Sequence, residues 1–211
     1  MSNHKNNHIG TLNKKIGIIG SGVVRQVLGI AFLAEWYEVM LGSRDALKAE
    51  LIKWKAINEK GLIGTFADTA NFAGIIVLNL QVKTILMKRL WYTTNPIADA
   101  PPVNGVLQFF TTSNSSLMKE IQAIIPAAQV VKVFNSIGNP VMYKPSFNEG
   151  KPTMFICGND AAAKHVVTDI LDAFGWETED MGAVENCKSN WAVMPVVVHI
   201  RVHQKPMDTC V

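Results

Sequence analysis

Residues Lys15 to Gly20 read KIGIIG, a short branched apolar run that ends in glycine, and Gly22 opens a stretch in which Val23, Val27, Leu28, Ala31 and Phe32 recur at helical spacing. A buried strand, a Gly-x-Gly turn and a helix in that order admit few folds. The first glycine takes the tight turn, and the second lets the backbone approach a diphosphate. The helix N-terminus then offers unpaired N–H groups and the positive end of its dipole. A third glycine normally lets the helix pack closely on the strand, and Arg25 stands in that place. An arginine there is expected to snorkel outward along the helix or to push the helix away, at about 1–3 kcal/mol. On this reading the turn is genuine but impaired, and Arg25→Gly would raise stability and affinity.

The pattern repeats along the chain. Tyr37–Leu41 reads as a second strand and Asp45–Lys55 as a helix. Leu62–Thr65 reads as a third strand with a helix to Phe72, and Gly74–Leu80 as a fourth, buried strand. Further on come a helix over Ser115–Ile125 and strands at Gln129–Phe134 and Thr153–Gly158. A helix over Asp160–Phe174 and a last strand near Trp176–Met181 follow. Strands alternating with helices imply parallel pairing through right-handed crossovers. The fold class expected is α/β, a Rossmann-type doubly wound parallel sheet, with a short atypical C-terminal tail.

Composition narrows the options. The chain has 211 residues, 48% of them hydrophobic, enough for one sizeable domain. No apolar run reaches membrane-spanning length. Residues 1–14 are polar and lack the apolar core of a secretory signal, so a disordered tail and a cytoplasmic location are expected. His4 and His8 in that tail are not read as a metal site. Cys157, Cys187 and Cys210 form no Cys-x-x-Cys spacing and suggest no disulfide framework. A net charge of +3 with scattered lysines gives no nucleic-acid footprint.

Strand two runs into GSRDALK. An acidic residue near that point would bind a ribose 2′-hydroxyl, but Ser43, Arg44 and Lys48 offer a hydroxyl and two cations. Those groups suit a 2′-phosphate through charge-assisted hydrogen bonds, so the cofactor inferred is NADP. Asp45 reads instead as the N-terminal partner of the next helix.

The stretches KIGIIGSGVV, GSRDALK, TTNPIADAPP, VVKVFNSIGNP and PTMFICGNDAAAK together resemble the NADPH-dependent reductases of the deazaflavin coenzyme F420, and more closely that family's bacterial branch of NADP-binding oxidoreductases. The resemblance covers roughly Lys15 to Glu185. It implies a Rossmann domain, a small helical C-terminal part and frequent homodimers. It also implies hydride transfer between the nicotinamide and the deazaflavin ring. The turn residues correspond to Gly20, Ser21, Gly22, Val23 and Val24, and the 2′-phosphate residues to Ser43, Arg44 and Lys48. Asn95 and Pro96 fall in the family's cofactor-side loop, and Asn135 and Ser136 fall near the nicotinamide. Direct hydride transfer needs no protein acid or nucleophile, so no catalytic residue is assigned.

The chain departs from the family pattern at Arg25 and over Asn79–Tyr92, which is short and lacks a clear fifth strand. The third departure begins at Cys187. Suitable codons for CKSNWAVMPVVVHIRVHQKPMDTCV, read one base along, give the family's own C-terminal landmarks, so a frameshift near codon 187 is expected. The domain reading is a tail over 1–14, an NADP-binding domain over 15–185, and an atypical segment over 186–211. That segment would weaken a homodimer. His199, Arg201 and His203 share one face of it, too few ligands for a metal site. The functional expectation is an NADP-dependent oxidoreductase passing hydride to a deazaflavin or similar small-molecule acceptor, with no nucleic acid or membrane partner. The alternative is an impaired NADP-binding protein without turnover. Were the acceptor a flavin, a metal chelate or a small carbonyl compound, Asp99, Asp160 and Glu185 would be the acids to inspect.

Overall fold

Alternate residues of the first strand serve opposite faces of a sheet, and that alternation organises the molecule. Ile16 and Ile18 lie in one apolar cluster and Ile19 in another, all essentially inaccessible to solvent. The computed structural model describes residues 14–20, 22–79, 89–93, 100–105, 108, 111, 116–148 and 150–186. The readings made for residues 1–13 and 187–211 lie outside it.

The main sheet is built from β1 (Lys15–Gly20), β2 (Glu38–Ser43), β3 (Leu62–Thr65), β4 (Ile75–Asn79), β5 (Arg89–Tyr92) and β6 (Gln129–Lys132). Its order is β3-β2-β1-β4-β5-β6, and every neighbouring pair is parallel. This is the doubly wound Rossmann order, with its topological switch between β1 and β4. The expectation that Asn79–Tyr92 holds no clear strand is corrected here: Arg89–Tyr92 pairs with β4 on one side and β6 on the other.

Helices cover both faces. On one side α1 (Val23–Ala34), α2 (Ala49–Ile57) and α5 (Ala161–Ala173) send Leu28, Phe32, Trp54, Val167 and Leu171 into the larger cluster. On the other, α3 (Phe66–Phe72) and α4 (Leu117–Ile124) supply Phe66, Ala70, Met118 and Ile121 to the smaller one. A Cβ at Gly29 would lie 2.9 Å from the Trp54 ring and 3.1 Å from Leu41. The close approach of α1 to its neighbours is thus granted at Gly29, one turn beyond Arg25.

A second, two-stranded parallel sheet holds β7 (Thr153–Ile156) and β8 (Glu177–Asp180). An antiparallel bridge joins it to the edge of the main sheet: the Lys132 N–H donates to the Cys157 carbonyl at 2.9 Å and the Cys157 N–H donates to the Lys132 carbonyl at 3.4 Å. Cys157 is disulfide-bonded, which departs from the expectation of no disulfide. The helix ends also differ from the sequence reading. α2 begins at Ala49, because Asp45 accepts the Leu47 N–H at 2.8 Å and closes a turn ahead of the helix. Asp45 therefore caps that turn and not the helix.

Candidate functional site

The C-terminal ends of β1, β2 and β4 surround the switch point, where an open parallel sheet leaves a crevice. Gly20 ends β1, and Gly22 is the residue before α1, with φ 83° and ψ −160°. Only glycine adopts that backbone region without strain. A Cβ at Gly22 would meet nothing within 4 Å, so the demand on this residue is conformational and the space beside it is open. Among the described residues no side chain caps the start of α1, and no acid lies in its first turn. Its leading N–H groups are available to an anion. Val23 is exposed at the helix start and Val24 packs against the core. Ser21 lies outside the described residues.

Arg25 neither snorkels nor displaces the helix. Its side chain is 1% exposed and runs inward to the tips of two strands. One guanidinium nitrogen donates to the Gly20 carbonyl at 2.7 Å and the Gly42 carbonyl at 3.2 Å. The other donates to the Glu50 carboxylate at 3.0 Å. Burial pushes the guanidinium's pKa down while Glu50 pulls it back up. Nε has no partner among the described residues. The expectation of an overpacked turn is thus replaced by a bonded one. Sequence reasoning could place Arg25 but not its partner, because Glu50 lies 25 positions away on another helix.

At the tip of β2, Ser43 is buried and its Oγ accepts the Asp45 N–H at 3.4 Å. Arg44 and Lys48 are exposed, and Lys48 precedes α2, accepting the Leu51 and Ile52 N–H groups through its carbonyl. The predicted trio therefore lies on one strand tip and the loop after it, and the Arg25 guanidinium bonds the carbonyl of Gly42, the residue before Ser43.

On the other half of the sheet, Thr93 follows β5 and donates its hydroxyl to the Leu78 carbonyl at 3.1 Å. Asn135 and Ser136 follow β6, both half-buried. Asn135 lines a small cavity with Lys132, Cys157 and Asn186, walled by Phe155 and Met181. Lys132 is a buried cation that the sequence reading passed over, and desolvation pulls its pKa down to about 8. Its place on a strand gave no signal of this. Asn95 and Pro96 lie outside the described residues.

Comparison with known proteins agrees with the motifs. The chain is 25% identical over 216 aligned residues to the F420-dependent NADP reductase of Methanocaldococcus jannaschii, covering 92% of this chain and 96% of that protein. The chain is similar to F420-dependent NADP reductases. A crystal structure of a proposed F420-dependent NADP reductase from Arthrobacter sp. FB24 superposes with a TM-score of 0.74 at 24% identity, over 86% of this chain and 90% of that one. The metalloreductase STEAP3 of Rattus norvegicus is 24% identical over 189 residues, which span 85% of this chain but 36% of that longer protein. No family model matches the chain. The architecture is a Rossmann-like NADP-binding fold, and no described helix is long and apolar enough to cross a membrane.

The described residues fit NADP. The open space at Gly22 and the uncapped start of α1 suit a diphosphate, and the cations at the β2 tip suit a phosphorylated ribose. Among the described residues, no carboxylate pairs with Arg44 or Lys48, so both charges remain for a ligand.

Proposed function

We propose that the chain is an NADP-dependent oxidoreductase that moves hydride between NADPH and a deazaflavin such as coenzyme F420. The observation that carries this reading is the pairing of an uncapped Gly20–Gly22 turn with the Ser43–Arg44–Lys48 tip, on one side of a sheet with Rossmann order. The relatives named above support it, two of them being named NADP reductases.

Gly20, Ser21, Gly22, Val23 and Val24 would hold the diphosphate through main-chain N–H groups. Ser43, Arg44 and Lys48 would hold the 2′-phosphate, with Arg44 able to donate two parallel bonds. Asn95, Pro96, Asn135 and Ser136 would border the nicotinamide half. The bound nucleotide supplies the hydride, and the protein's part is to orient two rings and keep water away.

A second reading is a nucleotide-binding protein without turnover. Arg25 and β5 no longer favour it, since one is bonded in place and the other is paired. What still favours it is the C-terminal segment from Cys187, which departs from the family's pattern and which we propose arises from a shifted reading frame. The coding DNA tests that proposal, because codons unable to yield the family's sequence in the alternate frame would end it.

NADPH fluorescence titration followed by an anaerobic deazaflavin reduction assay tests the function. Binding with turnover is expected for the first reading. Binding without turnover supports the second, and no binding of NADPH removes both.

A further inference from the structure

We propose that Arg25 is a positioning residue that sets the preference for the 2′-phosphorylated nucleotide, by tying the tips of β1 and β2 together and offsetting the Glu50 carboxylate beside them. The inference deepens the NADP reading and rests on it. Three observations carry it. The same guanidinium nitrogen bonds the carbonyls of Gly20 and Gly42, the last residue of β1 and the next-to-last of β2. Gly20 begins the diphosphate turn, and Gly42 immediately precedes Ser43 and Arg44. One side chain therefore fixes the distance between the two phosphate subsites. The second guanidinium nitrogen bonds Glu50, whose carboxylate is 46% exposed at the start of α2.

Glu50 stands within one guanidinium's width of the β2 tip. Left alone, its charge would repel a doubly negative 2′-phosphate and would do nothing comparable to a neutral 2′-hydroxyl. Arg25 cancels that charge from inside the fold, where it takes no space from the ligand. Exposed Arg44 is then free to pair with phosphate and not with Glu50. Glycine at the third turn position could do none of this; the arginine supplies electrostatic control of the adjoining subsite, while Gly29 supplies the close helix packing.

The test is a mutant cycle read as the ratio of the NADH and NADPH dissociation constants, measured by fluorescence titration, with thermal unfolding as a check on folding. Arg25→Ala is expected to lower that ratio about tenfold. Glu50→Gln, which leaves Arg25 uncancelled, is expected to raise it about threefold, and the double variant to return to within about threefold of the parent. The differences should shrink at 1 M salt, as they would not if Arg25 only held the fold. An Arg25→Ala variant that weakens both nucleotides by one factor overturns the proposal, as does a double variant that recovers nothing. If Arg25→Ala does not fold, Glu50→Gln decides alone, and an unchanged ratio rejects the idea. A parent protein with no preference for NADPH would instead defeat the NADP reading itself, and this proposal with it.

Discussion

Arg25 and Lys132 are both cations buried at the C-terminal ends of parallel strands, on opposite halves of one sheet, and the fold treats them differently. The guanidinium meets two strand-end carbonyls and a carboxylate at once. Burial lowers its pKa and Glu50 raises it again, and a guanidinium keeps its proton in any case. Lys132 sits beside the disulfide-bonded Cys157 and the edge of a second sheet, and burial there pulls its pKa down to about 8. A planar group with five donors can bridge several elements, whereas a desolvated ammonium becomes a titrating group. The half of the sheet around β1 and β2 thus holds a fixed charge, and the other half holds one that depends on pH.

The contrast breaks most visibly at Arg25. Arg25→Ala removes three hydrogen bonds, one of them to a carboxylate, and is expected to cost about 3 kcal/mol at roughly 1 kcal/mol per bond. For a chain of this size that is a fall in melting temperature of about 6–12 °C. Arg25→Gly should lose more, since it adds the helix-interior penalty of glycine, about 1 kcal/mol. A gain in stability from either variant would restore the view that arginine overpacks the turn.

Lys132 should move the other way. Its pKa falls from 10.5 in the unfolded chain to about 8 in the fold. Below pH 8 both states carry the proton, and the fold bears the cost of desolvating it. Between pH 8 and 10.5 the unfolded state binds more protons than the native state, so stability rises with pH, by up to about 3 kcal/mol. Tyr37, whose pKa burial first and then Asp169 and Glu35 raise to about 12, opposes this only above pH 10. Its native state keeps a proton that the unfolded state loses there. Lys132→Met should therefore flatten the slope between pH 8 and 10 in urea unfolding. A slope that survives the substitution would assign it to another group.

Much of this architecture was legible in the sequence, for reasons that differ by element. β1 and β3 were placed to the residue because a short apolar run bounded by turn residues is a local signal, and the helix to Phe72 follows β3 through a Thr65–Asp68 capping box that the sequence reading did not use. The start of α2 was misplaced because Asp45 can satisfy a turn as well as a helix. β5 was missed because RLWY is four residues long, and its strand state depends on neighbours on both sides. The placement of the Gly20–Gly22 turn and of Ser43 and Arg44 at the β2 tip was legible because those residues are continuous in the chain. The Arg25–Glu50 pair and the burial of Lys132 were not, because each is set by elements far apart in sequence.

Arg44 sharpens the comparison from the ligand's side. It is exposed and lies two residues beyond Gly42, whose carbonyl Arg25 bonds. Arg44→Ala is expected to weaken NADPH by about 10- to 30-fold, the worth of a charge-assisted pair, and to change NADH less than twofold. Fluorescence titration of both nucleotides reads this directly, and equal loss would mean that the 2′-phosphate lies elsewhere.

The smallest effect expected belongs to the half that holds Lys132. Asp160 precedes α5 and accepts the Ala163 N–H at 2.7 Å with one carboxylate oxygen, and the Gln129 amide at 2.9 Å with the other. It therefore ties the start of α5 to the first residue of β6, as Arg25 ties β1 to β2, but at the sheet's edge and partly in solvent. Asp160→Ala should cost about 1 kcal/mol, the usual worth of a helix cap, and Asp160→Asn should cost less, since its one amide oxygen still accepts the Ala163 N–H while its NH2 cannot accept from the Gln129 amide. If the loss at Asp160 equalled that at Arg25, the two halves would be braced alike, and the buried guanidinium would have no special standing in this sheet.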